Sequence, residues 1–290
     1  MIALALWGEK TEAFEQEFLD VNAINYGAGL HLLDFVNAPD PARLTINGWV
    51  SLKTNNRIND LIPAGVINGD TRLVLTNAIY FNAQWADKFT NESTRDGEFY
   101  PVSGDSITTP FMHSIRTISY NEGTNWQAIE LLYKGNTMAM DIILPAQGTL
   151  AQFEAGMTAQ SLNAVFDGFH LTRIALALPK FKFASPSISL VTALSAIGMP
   201  VAFTGAADFS GINGQRNLYI GNVIHKAFVA VDERGTEAAA ATAVIMIRTS
   251  APGSVSPVYV PVDRPFIFLI RDLNTGTVLF IGRIMRPVVE

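Results

Sequence analysis

Seven stretches rich in β-branched and aromatic side chains set the limits on this fold: 71–82, 126–132, 137–144, 173–183, 217–231, 265–271 and 277–284. Several of them, such as Pro265–Arg271, are almost continuously apolar, the pattern of strands covered on both faces. Helical periodicity is sparser and concentrated early. Thr11 is a candidate cap for a helix with Phe14, Phe18, Val21 and Asn25 on one side and Gly27 as its stop. Asp40-Pro41 predicts a second helix, with Ile46, Trp49 and Val50 on its apolar face and Asn47, Ser51 and Asn55 on its polar one. Shorter helices are expected at Leu150–Phe166 and Leu190–Ile197. Helices first and mostly strands afterwards is an α+β order, not the alternation of a parallel α/β sheet. In 290 residues there is no internal repeat and no linker, so one domain spanning 1–290 is expected.

The composition excludes several functions. Lys and Arg number 20 against 26 Asp and Glu, giving a net charge of −6 without any basic cluster, so nucleic acid is not an expected partner. There are no cysteines, which removes a disulfide framework, a thiolate metal site and a cysteine nucleophile. The longest nearly apolar run, Ala238–Ile247, contains Thr242 and is too short to cross a bilayer, so no membrane span is expected. Met1–Leu6 is apolar but lacks the basic start and cleavage pattern of a signal peptide. None of His31, His113, His170 or His225 sits in a paired metal motif, and neither a nucleophile-elbow nor a phosphate-loop pattern occurs. Gly27-Ala28-Gly29 lacks the third glycine of a dinucleotide fingerprint, and Asp208–Gly214 has too few carboxylates for a calcium loop. No metal or cofactor is expected. Asn91-Glu92-Ser93 fits a glycosylation acceptor, a pattern that also arises by chance.

One segment fits neither a stable strand nor an ordinary loop. Residues 235–247 read GTEAAAATAVIMI: four alanines favour helix, after which the chain becomes β-branched and runs into a Pro/Gly/Ser-rich stretch. Thr236, Ala238, Ala240, Thr242, Val244 and Met246 share one parity, and all are small or apolar and uncharged. They are suited to the core side of a strand, yet alanines bury too little area to hold such a strand alone. A mobile segment that joins a sheet later needs this compromise. An Ala-rich helix end or an ordinary buried strand is the plainer alternative.

The segment 232–242, DERGTEAAAAT, resembles the reactive-loop hinge of inhibitory serpins, a family of proteinase inhibitors. Similar matches run in the family's order along essentially the whole chain. They include Leu75–Phe81 with Trp85, Leu178-Pro179-Lys180-Phe181, Asp208–Gly211 and Val223–Ala227. Val262–Phe268, Leu279–Arg283 and Pro287 complete the series. The chain departs from the family in two places. The opening helices and first strand have no counterpart ahead of Ala3, which predicts uncovered apolar surface. Residues 250–264 are stretched by extra Pro, Ser and Val.

The resemblance implies an α+β serpin-like fold, with large mixed sheets, helices packed around them and an exposed reactive loop at about 235–261. It implies a suicide inhibitor, not an enzyme: a proteinase forms an acyl-enzyme on the loop, which then inserts as a new strand between 73–81 and 218–231. The hinge would be Gly235, Thr236, Glu237, Ala238, Ala239, Ala240, Ala241 and Thr242. Counting from it places the reactive bond between Thr249 and Ser250, with the bond between Arg248 and Thr249 as the rival. Thr249 suits an elastase-like pocket and Arg248 a trypsin-like one; a cysteine proteinase is a further implied target class. Five residues would control sheet opening. Asn77 and His225 form a hydrogen-bonded pair at the sheet centre, Lys180 and Glu233 form an ion pair near the insertion point, and Trp85 is a core aromatic beside it. The resemblance also implies a monomer, with loop–sheet polymers as the other assembly, in a secreted or extracellular setting. A non-inhibitory binding or chaperone-like serpin is the second functional class, and a hydrolase a distant third.

Overall fold

The computed structural model describes residues 2–27, 29–236 and 256–288. The first elements are β1 (Ile2–Glu9), α1 (Gln16–Tyr26), β2 (Leu30–Leu33), α2 (Pro39–Lys53), β3 (Leu73–Tyr80) and β4 (Ala83–Gln84). Then come β5 (Thr94–Phe99), β6 (Ile107–Gly123), β7 (Trp126–Leu132), β8 (Met138–Pro145), α3 (Leu150–Ala155), α4 (Ala159–Asp167), β9 (His170–Pro179) and β10 (Phe181–Ala184). The last are β11 (Ile188–Ser189), α5 (Val191–Ala196), α6 (Ser210–Asn213), β12 (Ile224–His225), β13 (Ala227–Asp232), β14 (Gly235–Thr236), β15 (Val258–Pro261), β16 (Phe266–Asp272) and β17 (Val278–Ile284). The class is α+β as expected, but the order is not helices first: β1 precedes α1, and α3 to α6 lie among the later strands. No described helix is long and apolar enough to cross a membrane. Backbone contacts group the chain into two compact units, Met1–Phe81 with Ala184–Phe228 and Asn82–Phe183 with Val229–Glu290.

In the first unit β1 pairs in parallel with β2 and antiparallel with β3, Gly8 facing Leu73 and Leu4 facing Asn77. β3 meets the start of β13 in parallel through two residue pairs, Ala227 with Ile79 and Phe228 with Tyr80. The β1 strand is an addition to the sequence reading, which took Met1–Leu6 only as apolar. Helix α2 buries Ala42, Ile46 and Val50 as its spacing predicts, and Trp49 stands edge-on to Trp7 of β1 with ring centres 5.4 Å apart. Asn47, assigned to the polar face, is buried: its amide donates to the Ile62 carbonyl at 2.9 Å and its oxygen accepts from the Ile62 amide at 2.8 Å. Two backbone bonds remove the cost of burying it.

The helix expected to start at Thr11 begins at Gln16. Thr11 is held instead by the fully buried Glu9, whose Oε1 accepts from the Thr11 hydroxyl at 2.9 Å and its amide at 3.2 Å. The expected stop is present, with Gly27 in the left-handed conformation at φ 60°. The predicted strand 217–231 shrinks to β12 and β13. Asn222 breaks it, its side-chain oxygen accepting from the Val223 amide at 2.9 Å and the Ser189 hydroxyl at 2.6 Å. Such local bonds compete with a ladder.

In the second unit one sheet runs β15-β9-β6-β7-β8-β16-β17, with β5 added beside β6. Its apolar runs carry the core, and one face buries Ala128, Ile143, Ile267 and Leu269 against Leu150 and Val165 of α3 and α4. The single helix expected at Leu150–Phe166 is two. Thr158 starts the second with a capping box, its hydroxyl accepting from the Ser161 amide at 3.1 Å while the Ser161 hydroxyl accepts from the Thr158 amide at 2.7 Å. The strand expected at 173–183 is interrupted at Lys180, whose amide donates to the Pro110 carbonyl at 2.9 Å. Val258–Pro261, read as the end of the loop, is strand β15, paired in parallel with β9 from Ile174 to Ala177. Val260 of this strand and Val262 just after it are buried, and that gain outweighs the turn composition.

Candidate functional site

The site lies in the second unit, where β13 turns back on itself. The turn begins at Asp232, whose Oδ1 accepts from the amides of Arg234 at 2.8 Å and Gly235 at 3.3 Å. An aspartate bonding its own backbone two and three residues on is a standard turn device. The chain then re-enters the sheet as β14. Val231 and Asp232 of β13 pair antiparallel with Thr236 and Gly235, and Ala83 and Gln84 of β4 pair with the same two residues from the other side. Two hinge residues are thus already seated between neighbouring strands.

Gly235 is required here by close approach. A Cβ at this position would overlap the Ala83 carbonyl oxygen and come within 2.6 Å of the Gln84 Cα, at a φ of 152°. Backbone atoms cannot move aside as a side-chain tip can, so only glycine fits. Thr236 is fully buried and shares a hydrogen bond of 2.6 Å with the Tyr133 hydroxyl.

Trp85 organises the surroundings. Its ring stacks on Tyr133 with centres 4.7 Å apart and planes 9° from parallel. Its indole N–H donates to the Asp232 carbonyl at 2.9 Å, and its amide donates to the Arg234 carbonyl at 2.9 Å. The Phe89 amide takes the Glu233 carbonyl, also at 2.9 Å. Every carbonyl of the turn therefore has a donor from the segment after β4, so a tight reversal can be buried at little cost.

Lys180 and Glu233 meet, the ammonium 3.0 Å from one carboxylate oxygen and 3.2 Å from the other. The Thr94 hydroxyl adds a bond of 2.8 Å. Burial alone would raise the Glu233 carboxyl. Bonds from its own amide, Thr94 and Lys180, with the lysine's charge, outweigh burial and hold it below the ordinary carboxylate range.

Asn77 and His225 are not joined. Asn77 is an exposed residue of β3, and His225 is half-buried in β12, facing Ile188 of β11. No hydrogen bond links them, because the β3–β13 ladder starts only at Ala227 while His225 is taken up by another pairing. The residues Glu237, Ala238, Ala239, Ala240, Ala241, Thr242, Arg248, Thr249 and Ser250 lie outside the described residues. Tyr133, Thr94 and the β4 pair were not anticipated. All lie at or beside strand ends, and only long-range pairing gives them a role.

Among the described residues no cluster of His, Asp or Glu is arranged to hold a metal ion. Chemically the site holds a two-residue strand, with backbone partners on both sides and one buried hydroxyl. Comparison with known proteins is consistent with such a device. The model of the family described as "Serpin (serine protease inhibitor)" matches residues 1–287. The chain belongs to the serpin family. Human Serpin B3 is 40% identical, over 99% of this chain and 74% of that protein. An uncharacterised serpin-like protein of Thermococcus kodakarensis is 38% identical, over 98% of this chain and 65% of its own length. The chain thus spans about two thirds to three quarters of these two relatives. The solved thyroxine-binding globulin–thyroxine complex shares the fold with a TM-score of 0.86 and 26% identity, covering 100% of this chain and 76% of that one. The family is described as serine protease inhibitors.

Proposed function

We propose that this serpin is a suicide-type inhibitor of serine proteinases of elastase-like or trypsin-like specificity. The observation that carries the reading is β14. Gly235 and Thr236 already form the first pairs of a strand between β13 and β4, and the sequence beyond them stays small and uncharged on the core-facing parity. In the proposed reaction the proteinase serine attacks the Thr249 carbonyl and displaces the amine of Ser250, leaving an ester; attack one residue earlier gives the rival bond after Arg248. The freed loop extends β14 along β13, each added residue pairing its backbone and placing an alternate side chain in the core. The tethered proteinase is carried with it and its active site is distorted before the ester hydrolyses. Lys180, Glu233 and Trp85 set how readily the sheet opens at the hinge, and the protein acts as a monomer.

The likeness to a thyroxine-binding serpin favours a binding module as the second reading. A panel of elastase-like, trypsin-like and cysteine proteinases separates the two. We expect a complex that survives denaturing gels and a released peptide starting at Ser250 or Thr249. Complete digestion by every proteinase, with no trapped species, would assign the chain to the binding class.

A further inference from the structure

We infer that Tyr133 is a positioning residue for loop insertion: its buried hydroxyl receives Thr236 and holds the hinge in register before a proteinase arrives. The inference deepens the proposed function and rests on it. Tyr133 follows β7 immediately and is 1% exposed. Its ring is fixed by the stack on Trp85, and its amide donates to the Met138 carbonyl at 2.9 Å. Trp85 in turn holds the Asp232 and Arg234 carbonyls, so one aromatic pair grips both the turn and the strand that leaves it. A phenylalanine would stack equally well. What the hydroxyl adds is a partner for Thr236, 2.6 Å away, where water has no access. Burial raises the phenol far above its ordinary range, so it remains a neutral donor or acceptor at physiological pH.

The hydroxyl also discriminates register. A slip of one residue in either direction would offer the buried phenol a glycine, Gly235, or the acidic Glu237. A one-residue slip reverses every following side chain, so the alanines and threonines of core-facing parity would turn outward. A single buried polar contact at the first inserted position fixes that choice for the whole strand.

Two measurements on the full chain test this with Tyr133→Phe, which keeps the ring and its stack. The first is amide exchange over residues 232–236 in the uncleaved protein, where loss of one buried hydrogen bond should speed exchange about fivefold. Exchange equal to the parent's would overturn the inference, whatever the protein inhibits. The second is partitioning with a proteinase that the parent traps. The number of inhibitor molecules consumed per proteinase should rise about fivefold, with the rate of loop cleavage unchanged. Thr236→Val should reproduce both effects, Thr236→Ser should behave as the parent, and the double variant should be no worse than either single one. Additive losses in the double variant would show that the two hydroxyls act separately and would contradict the inference. A parent that traps no proteinase would defeat the functional reading, and the exchange result would still decide the role of Tyr133.

Discussion

At its C-terminal end β13 runs beside β14, with the turn between them braced by Trp85, Phe89 and Asp232, whereas at its N-terminal end the described residues pair it with β3 at Ala227–Ile79 and Phe228–Tyr80, and Ala227 also bonds Ser185. The first arrangement is buried, hydrogen-bonded and closed by the Lys180–Glu233 pair. The second has an exposed Asn77 on β3, and His225 is engaged in another ladder. The difference suggests a division of labour within one strand. One end supplies the fixed seat from which a new strand starts. The other meets β3 at Ala227 and Phe228, the pairing that must be exchanged for that strand to continue. A protein that opens its own sheet needs both, since uniform pairing would forbid insertion and uniform looseness would not hold register.

The largest expected effect comes from breaking the seat. Thr236→Arg puts a permanent charge where the structure has a fully buried hydroxyl. Unpaired burial of that charge costs several kcal/mol, so the hinge is expelled and insertion stalls at its first residue. We expect cleavage to proceed and active proteinase to be recovered, read as loss of the gel-stable complex. Ala239→Arg, of the other parity, should do much less harm. Equal trapping by Thr236→Arg and the parent would remove the seat from the mechanism.

Glu233→Gln is expected to have an intermediate effect and to sharpen the comparison through pH. Glu233 sits below its ordinary 4.5 in the folded protein, so its stabilisation is complete above that value and is lost as pH falls through the folded pKa. The variant should therefore be less stable than the parent near pH 7, by about 1–3 kcal/mol, with the gap closing in acid. Asp141 contributes with the opposite sign. It is fully buried beside Arg271, at 2.9 Å, and burial carries its carboxyl to about 6 against the bonds from that arginine. Its contribution falls as pH rises from about 4 to about 6. Denaturant unfolding of both proteins across this range checks the prediction, and a gap that does not narrow in acid contradicts it.

The smallest effect is expected at the β3 end. Asn77 is exposed and bonded to neither His225 nor the turn, so Asn77→Ala should alter stability by less than about 0.5 kcal/mol. A loss of 2 kcal/mol or more, on the order of a buried polar group left unpaired, would show that this end is braced as well.

Much of this was legible in the sequence because the deciding interactions are local or compositional. The small uncharged parity that begins at Thr236 fits the pairing of Gly235 and Thr236 as β14, and the i, i+3, i+4 spacing of Ile46, Trp49 and Val50 marked α2. Lys180 and Glu233 came from the family resemblance, and the structure supplies their contact. Other features depend on partners far along the chain. Tyr133 lies 103 residues from Thr236, and nothing beside it in sequence distinguishes it from a strand-ending aromatic. Asn47 looked solvated because its two backbone partners on Ile62 are fifteen residues away. Strand β15 carried loop composition and gained its pairing only from β9. At 217–223 the error ran the other way, β-rich residues losing to local bonding by the Asn222 side chain.

The central claim is that the seated hinge is the start of a strand that the rest of the loop completes. The melting temperature of the protein before and after a single cut near Thr249 tests it most directly. Insertion would pair free backbone and bury side chains such as Val244 and Met246, each worth about 1.5–3 kcal/mol when fully buried. The cut protein should therefore melt at a higher temperature than the intact one. An unchanged or lower melting temperature, as for an ordinary nicked loop, would contradict the account.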